Sequence, residues 1–218
     1  MNLAGLVPLL QETPAYRLLV DLADQEVAEA ALGANSTDPL GIIQPARPFL
    51  VAALYQQLGR PIVLLTARAE RAGYWTDQLD IWTGAHSILP FPEPDPLPYE
   101  RVPWTRETVT DRLTALAALL NWAKVEGAAS QQPPFIVAST RALMHKTLPV
   151  REFRMGLRQY RRGQELNLQR VVSSWVAHGY RPETVVEEPG TFSRRGGLID
   201  IFPPNMLGID AGSLEASR

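Results

Sequence analysis

Between Gly41 and Thr66 the chain reads GIIQPARPFLVAALYQQLGRPIVLLT, which is a loop, a helix, a tight turn and an apolar strand in succession. Pro48 suits the first helical position, where no backbone N–H is needed. Phe49, Leu50, Ala53 and Leu54 fall on one helical face, and Gly59 is the natural residue to end it. Ile62 to Leu65 is a short apolar run, as expected of a strand covered on both faces. The same alternation continues downstream. Ala67 to Trp82 and Thr108 to Trp122 have helical periodicity; Tyr74, Trp75, Leu79 and Trp82 align in the first, and Val109, Leu113, Leu116 and Leu120 in the second. Ser87 to Phe91 and Phe135 to Ala138 read as strands, with Ser139 or Thr140 placed to cap a short helix. The prediction is an α/β domain built on a mainly parallel sheet with helices on its faces.

The layout of a loop opening a helix is that of a phosphate-binding loop, but its chemistry is missing. A working P-loop, G-x-x-x-x-G-K-[ST], cradles phosphate with backbone N–H groups, reaches it with Lys and holds Mg²⁺ with a hydroxyl. Placing Gly41 on the first glycine puts Ala46 on the second, Arg47 on the Lys and Pro48 on the Ser/Thr. Pro48 has neither hydroxyl nor N–H, and Pro45 removes another donor. Arg47 keeps the charge, but on a forked guanidinium. Two readings stay open: an ordinary connection that never held nucleotide, which periodicity alone favours, or a P-loop-like domain with a degenerate loop. Both predict no ATP, no Mg²⁺ and no ATP hydrolysis in this chain.

The 218 residues include no cysteine, which excludes disulfides and thiolate chemistry and suits a cytoplasmic protein. Neither a membrane span nor a signal peptide is expected. Net charge is −2, unevenly spread: residues 1–140 carry −6, residues 141–195 carry +6 and residues 196–218 carry −2. A basic segment points to an acidic protein or a nucleic acid as partner, or to a solvated face with no partner. The three histidines, His86, His145 and His178, lack the i+3 or i+4 partners of a helical metal pair. Glu187, Glu188 and the acids between Glu93 and Glu100 read as solvated loop carboxylates.

Residues 1–32 read as helical, followed by a turn-rich break at 33–39. Pro90 to Pro103 is too proline-dense for a helix or a central strand. Near Leu148 the pattern changes. Phe153, Met155 and Leu157 alternate with Arg154, Gly156 and Arg158, as in a half-exposed strand. Asn167 caps a helix through Val176 that ends at Gly179; Val185-Val186 and Leu198 to Phe202 read as strands. This gives a small α+β (β-α-β-β) domain at residues 148–203, after an α/β domain at 1–147 and before a tail at 204–218. Arg181, with Arg194-Arg195 beside Gly196-Gly197, can present forked donors to carboxylates or phosphates. The bland alternative is a basic strand edge that discourages aggregation.

The run GTFSRRGGLIDIFPPN, Gly190 to Asn205, resembles the signature G-x-F-x-x-R-G-x-h-h-[DE]-h-F-P (h apolar) of the family that holds UvrB and the transcription-repair coupling factors (Mfd). The loop Gly41 to Pro48, LPYERVP, Asp111-Arg112-Leu113, FIVAST and GYRPE follow in the family's order, so the resemblance covers the chain to about Asn205. Two departures from UvrB favour the coupling factor: Arg47-Pro48 replaces Lys-Thr, and residues 99–108 leave no room for UvrB's long aromatic hairpin. The resemblance implies a non-catalytic module that recruits UvrA to stalled RNA polymerase at DNA damage. It implies UvrA contact at Arg195 by direct match, at Arg181 through Gly-Tyr-Arg, and less directly at Arg194. Binding to RNA polymerase and DNA would belong to parts of the parent protein that this stretch does not resemble, and the chain reads as a fragment or a truncated product. The alternatives are a divergent UvrB-like ATP-dependent helicase domain or a weak DNA-binding module.

Overall fold

The computed structural model describes residues 3–31, 41–83, 88–97, 99–122, 132–158 and 160–204; the turn-rich break expected at 33–39 and the tail from 205 onward lie outside them. The chain divides into two compact units, Met1–Glu93 with Val125–Leu143, and Pro94–Lys124 with Met144–Arg218. The sequence reading drew its boundary at 147/148; by compactness, residues 94–124 group with the second unit.

The first unit is mixed α/β. Helices α1 (Val7–Gln11) and α2 (Pro14–Ala31) precede α3 (Arg47–Leu58), β1 (Ile62–Thr66), α4 (Ala69–Thr83), β2 (Ile88–Phe91), β3 (Phe135–Ser139) and α6 (Thr140–Met144), while α5 (Arg106–Trp122) belongs to the second unit. The three strands form a parallel sheet in the order β1-β3-β2, with Ile62 and Ile88 both opposite Phe135 and Leu64 opposite Val137. These in-register residues share one face, which packs on Ala52 and Tyr55 of α3 and Leu79 of α4. Helix α3 is two-sided: its other face sets Ala53, Phe49, Leu50 and Leu54 against Val7 and Tyr16 of the N-terminal helices. Gly59, at φ 57°, adopts the left-handed conformation that stops α3. Ser139 Oγ accepts from the Ala142 N–H at 3.1 Å and so starts α6.

Three expectations for these elements need correction. Strand β1 is not covered on both faces: Val63 is 48% and Leu65 53% exposed, whereas Ile62 and Leu64 on the other face pack into the core. Tyr74 points outward from α4, while Trp75, Leu79 and Trp82 pack inward. Helix α5 (Arg106–Trp122) buries Thr108, Arg112, Ala115 and Leu120, a stripe one position round from Val109, Leu113 and Leu116. Small Thr108 and Ala115 make that stripe narrow. Arg112 joins it with its guanidinium 5.3 Å from the Trp104 ring, and burial pushes its pKa down. Asp95 accepts from the Thr105 backbone N–H at 3.1 Å and hydroxyl at 2.9 Å just ahead of α5. That backbone hydrogen bond above all holds the Asp95 carboxyl below the usual carboxylate range.

The second unit continues through α7 (Val150–Gly156), α8 (Leu168–Ala177), β4 (Arg181–Pro182), β5 (Thr191–Arg195) and β6 (Leu198–Phe202). The small domain is therefore α-α-β-β-β, not β-α-β-β. The segment read as a first strand is α7, preceded by Pro149, whose carbonyl accepts from the Phe153 N–H at 2.9 Å. Val185 and Val186 form no strand; Arg181 and Pro182 pair instead, parallel to Thr191 and Phe192. Strand β5 then pairs antiparallel with β6 through a two-residue turn at Gly196-Gly197. Gly196 has φ 63°, and an added Cβ would meet nothing within 4 Å, so glycine is required there by conformation and not by crowding.

Asn167 caps α8 as the sequence predicts: its Oδ1 accepts from the Arg170 N–H at 3.0 Å. Asn167→Ala is expected to cost about 1 kcal/mol, read as a lowered urea midpoint with unchanged slope; an unmoved midpoint would show the cap to be dispensable. Among the described residues no helix is long and apolar enough to cross a membrane.

Candidate functional site

The small sheet decides where the three arginines go. Residues opposite one another share a face, and neighbours along a strand alternate. Arg181 lies opposite Thr191, so it shares a face with Thr191, Ser193, Arg195 and Asp200. Phe192, Arg194, Ile199 and Ile201 occupy the other face. That second face meets α8: Phe192 is buried with its ring 5.6 Å from Trp175, and Arg194 Nη1 reaches Gln169 Oε1 at 3.4 Å. The adjacent arginines are thus divided. Arg181 and Arg195 are exposed side chains of one face, four strand positions apart with buried Thr191 and Ser193 on the same face, and Arg194 turns toward the helix.

Arg181 and Arg195 each have an internal carboxylate. Arg195 Nη2 donates to Asp200 Oδ2 at 2.7 Å across the β5–β6 pair. Arg181 Nη2 donates to Glu188 Oε2 at 3.2 Å, and Arg106 Nη1, at the start of α5, donates to the same oxygen. All these side chains are half or more exposed, so the pairs are weak individually and open to exchange. The backbone beneath them is firm. Thr191 Oγ1 donates to the Glu188 carbonyl at 2.6 Å, Gly190 N–H to Phe202 O at 2.7 Å and Arg181 N–H to Gly190 O at 3.0 Å. Behind the sheet, Trp175 is ringed by Tyr160, Tyr180 and Phe192, and burial pushes the Tyr180 hydroxyl up.

Sequence reasoning missed Arg106, Glu188 and Asp200. Asp200 had a signal, since it fills the acidic slot of the signature. Glu188 reads from sequence as a solvated loop acid. Arg106 had none, being far away in the chain.

The loop at Gly41 to Pro48 is a second candidate. It forms a 3₁₀ turn, Gln44–Ala46, that runs straight into α3. The Ala46 N–H donates to Ile43 O at 3.1 Å and the Arg47 N–H to Gln44 O, while Pro45 and Pro48 have none. Arg47 is exposed and its Nε donates back to Ile42 O at 3.1 Å; Pro48 is buried. Two of the loop's N–H groups, those of Ala46 and Arg47, are thus bonded within the loop itself. Of the histidines, His178 lies in the last turn of α8 with Nδ1 2.7 Å from Ser174 O, and His145 stands edge-on to Trp104. Among the described residues no three His, Asp or Glu side chains group so as to hold a metal ion.

Residues 159–209, which contain the small sheet and all three arginines, match the family model of the UvrB interaction domain. The chain is also similar to transcription-repair-coupling factors: 31% identical over 170 residues to that of Myxococcus xanthus, covering 75% of this chain. It is 28% identical over 163 residues to that of Bacillus subtilis, covering 75%, and 26% over 171 residues to that of Staphylococcus aureus, covering 78%. Within residues 159–209, then, the chain is similar to a UvrB interaction domain. More particularly, it resembles the N-terminal region of the transcription-repair coupling factor. The chain spans 13–14% of the length of these relatives.

Proposed function

We propose that this chain is a non-catalytic docking module of transcription-coupled repair, whose small sheet binds UvrA and so brings excision repair to RNA polymerase stalled at DNA damage. The observation that carries the reading is the common face of Arg181 and Arg195, held by strand register inside the stretch that matches a UvrB interaction domain. Arginine forks suit carboxylates on a partner protein. Direct DNA binding is less well supported, because Glu183, Glu187 and Glu188 surround Arg181 and repel a polyanion.

The larger unit is read as a P-loop-like domain that has lost its nucleotide. Support comes from the committed N–H groups of Ala46 and Arg47 and the two prolines beside them. On this reading the chain holds neither ATP nor Mg²⁺ and works in the cytoplasm. Contacts with RNA polymerase and DNA belong to the longer relatives.

Titrating the chain into purified UvrA is expected to give saturable binding. In parallel, Mg-ATP is expected to leave the melting temperature unchanged; a site filled at one hundred times its Kd would add about 2.7 kcal/mol of stability, a clear shift. Steady ATP turnover by the isolated chain would instead establish the helicase alternative.

A further inference from the structure

We propose that Arg106 and Arg181 form a two-guanidinium carboxylate site, that Glu188 is its resident occupant, and that a single Asp or Glu side chain of the docking partner takes the place of Glu188. The proposal rests on the docking reading above and extends the partner surface beyond the small domain to the first residue of α5.

The geometry starts from a coincidence that needs explaining. Two guanidinium groups from distant parts of the chain converge on one oxygen, Glu188 Oε2. Without an anion between them they repel. Their backbones are set independently of that anion. Arg181 is fixed by pairing with Thr191, and Arg106 opens a 17-residue helix whose start is tied to Asp95 through Thr105. The convergence is therefore built into the scaffold, and the carboxylate is the exchangeable part. Glu188 reaches the site on a side chain that is 58% exposed, from the turn before β5. Nothing buries it there.

The surroundings choose the ligand. The three groups line an open cleft of about 380 Å³ whose rim also carries Glu183 and Glu187. With Glu188 seated the cleft holds more negative than positive side chains. When Glu188 swings out, two arginines face two remaining glutamates, so one incoming carboxylate restores the charge that Glu188 held and each further negative charge is penalised. A protein carboxylate fits that balance; a phosphate group or a run of them does not. Glu188 thus competes with the partner and sets the affinity below what the two arginines alone would give.

Two point variants in the full chain test this against purified UvrA by calorimetric titration. Glu188→Gln keeps the shape and removes the charge; exposed ion pairs are weak, so Kd is expected to fall by about three- to ten-fold. Arg106→Ala is expected to raise Kd by about ten-fold, as loss of a charge-assisted hydrogen bond does. Melting curves of both variants are expected to match the wild type, which separates an affinity effect from misfolding. If Glu188→Gln binds equally or more weakly, Glu188 is a brace for the turn and the assignment is overturned. If Arg195→Ala abolishes binding while Arg106→Ala changes nothing, the docking face stands and this site alone falls. A wild-type chain that does not bind UvrA removes both readings.

Discussion

Trp175→Ala is expected to destabilise the second unit by about 3–5 kcal/mol, the cost of truncating a large buried aromatic. Trp175 is only 8% exposed. Its ring meets Tyr160, Tyr180 and Phe192 with centroids 5.6–6.1 Å apart, and its Nε1–H donates to the Tyr160 hydroxyl at 3.1 Å. Alanine leaves both a cavity and a hydroxyl without that donor. Whole domains are stable by only about 5–15 kcal/mol, so such a loss takes much of what holds a unit this small. The measurement is urea unfolding followed by circular dichroism, with loss of the near-ultraviolet signal at low denaturant. Trp175→Phe is the companion: it keeps most of the ring and loses the N–H, and is expected to cost about 1 kcal/mol from the hydrogen bond plus some lost packing. If alanine and phenylalanine cost the same, the ring cluster is not the core of the unit.

That cluster also shows what sequence could and could not reveal. Helix α8 was legible from both ends, because Asn167 and Gly179 are strong local signals and Trp175 falls in the apolar stripe between them. Strand β6 was legible for the same local reason. Helix α7 was not. Phe153, Met155 and Leu157 alternate with polar residues, and over so short a run periods of 2 and 3.6 are hard to separate. What decides is whether a neighbouring strand exists. Phe153 is only half-buried and Met155 is exposed, so the segment has no sheet to join and closes its own hydrogen bonds. Val185-Val186 failed in the opposite way. Its β-branched residues favour a strand, but β5 is already paired with Arg181 and Pro182 on that side. In the larger unit, strand positions followed from apolar runs, whereas which face of β1 is covered depends on what packs against the sheet, which no local pattern encodes.

For the site, the signature located Arg195 and Asp200 but said nothing of their contact. The alternation of a strand, applied to Arg194-Arg195, is enough to separate the two residues once β5 is recognised. Arg106 depends on tertiary placement alone.

The separation of the arginines makes the sharpest test of the docking face. Arg181→Ala/Arg195→Ala is expected to raise the Kd for UvrA by at least about a hundred-fold, since each charge-assisted hydrogen bond to a partner is worth about 1.5–3 kcal/mol. Arg194→Ala, on the opposite face against α8, is expected to change binding by less than about 0.5 kcal/mol, as surface substitutions away from a contact do. None of the three should unfold the protein, because the ion pairs lost are exposed and such pairs contribute about 0.2–1 kcal/mol each. Charge alone does not explain the expected pattern, for Arg194→Ala and Arg195→Ala remove the same charge one residue apart. Arg195→Lys separates charge from shape: an ammonium keeps the field but lacks the fork that can hold a carboxylate by two parallel bonds, so binding is expected between wild type and alanine. Equal losses for Arg194→Ala and Arg195→Ala would mean that the partner senses only net charge, and the face defined by strand register would no longer be the docking surface.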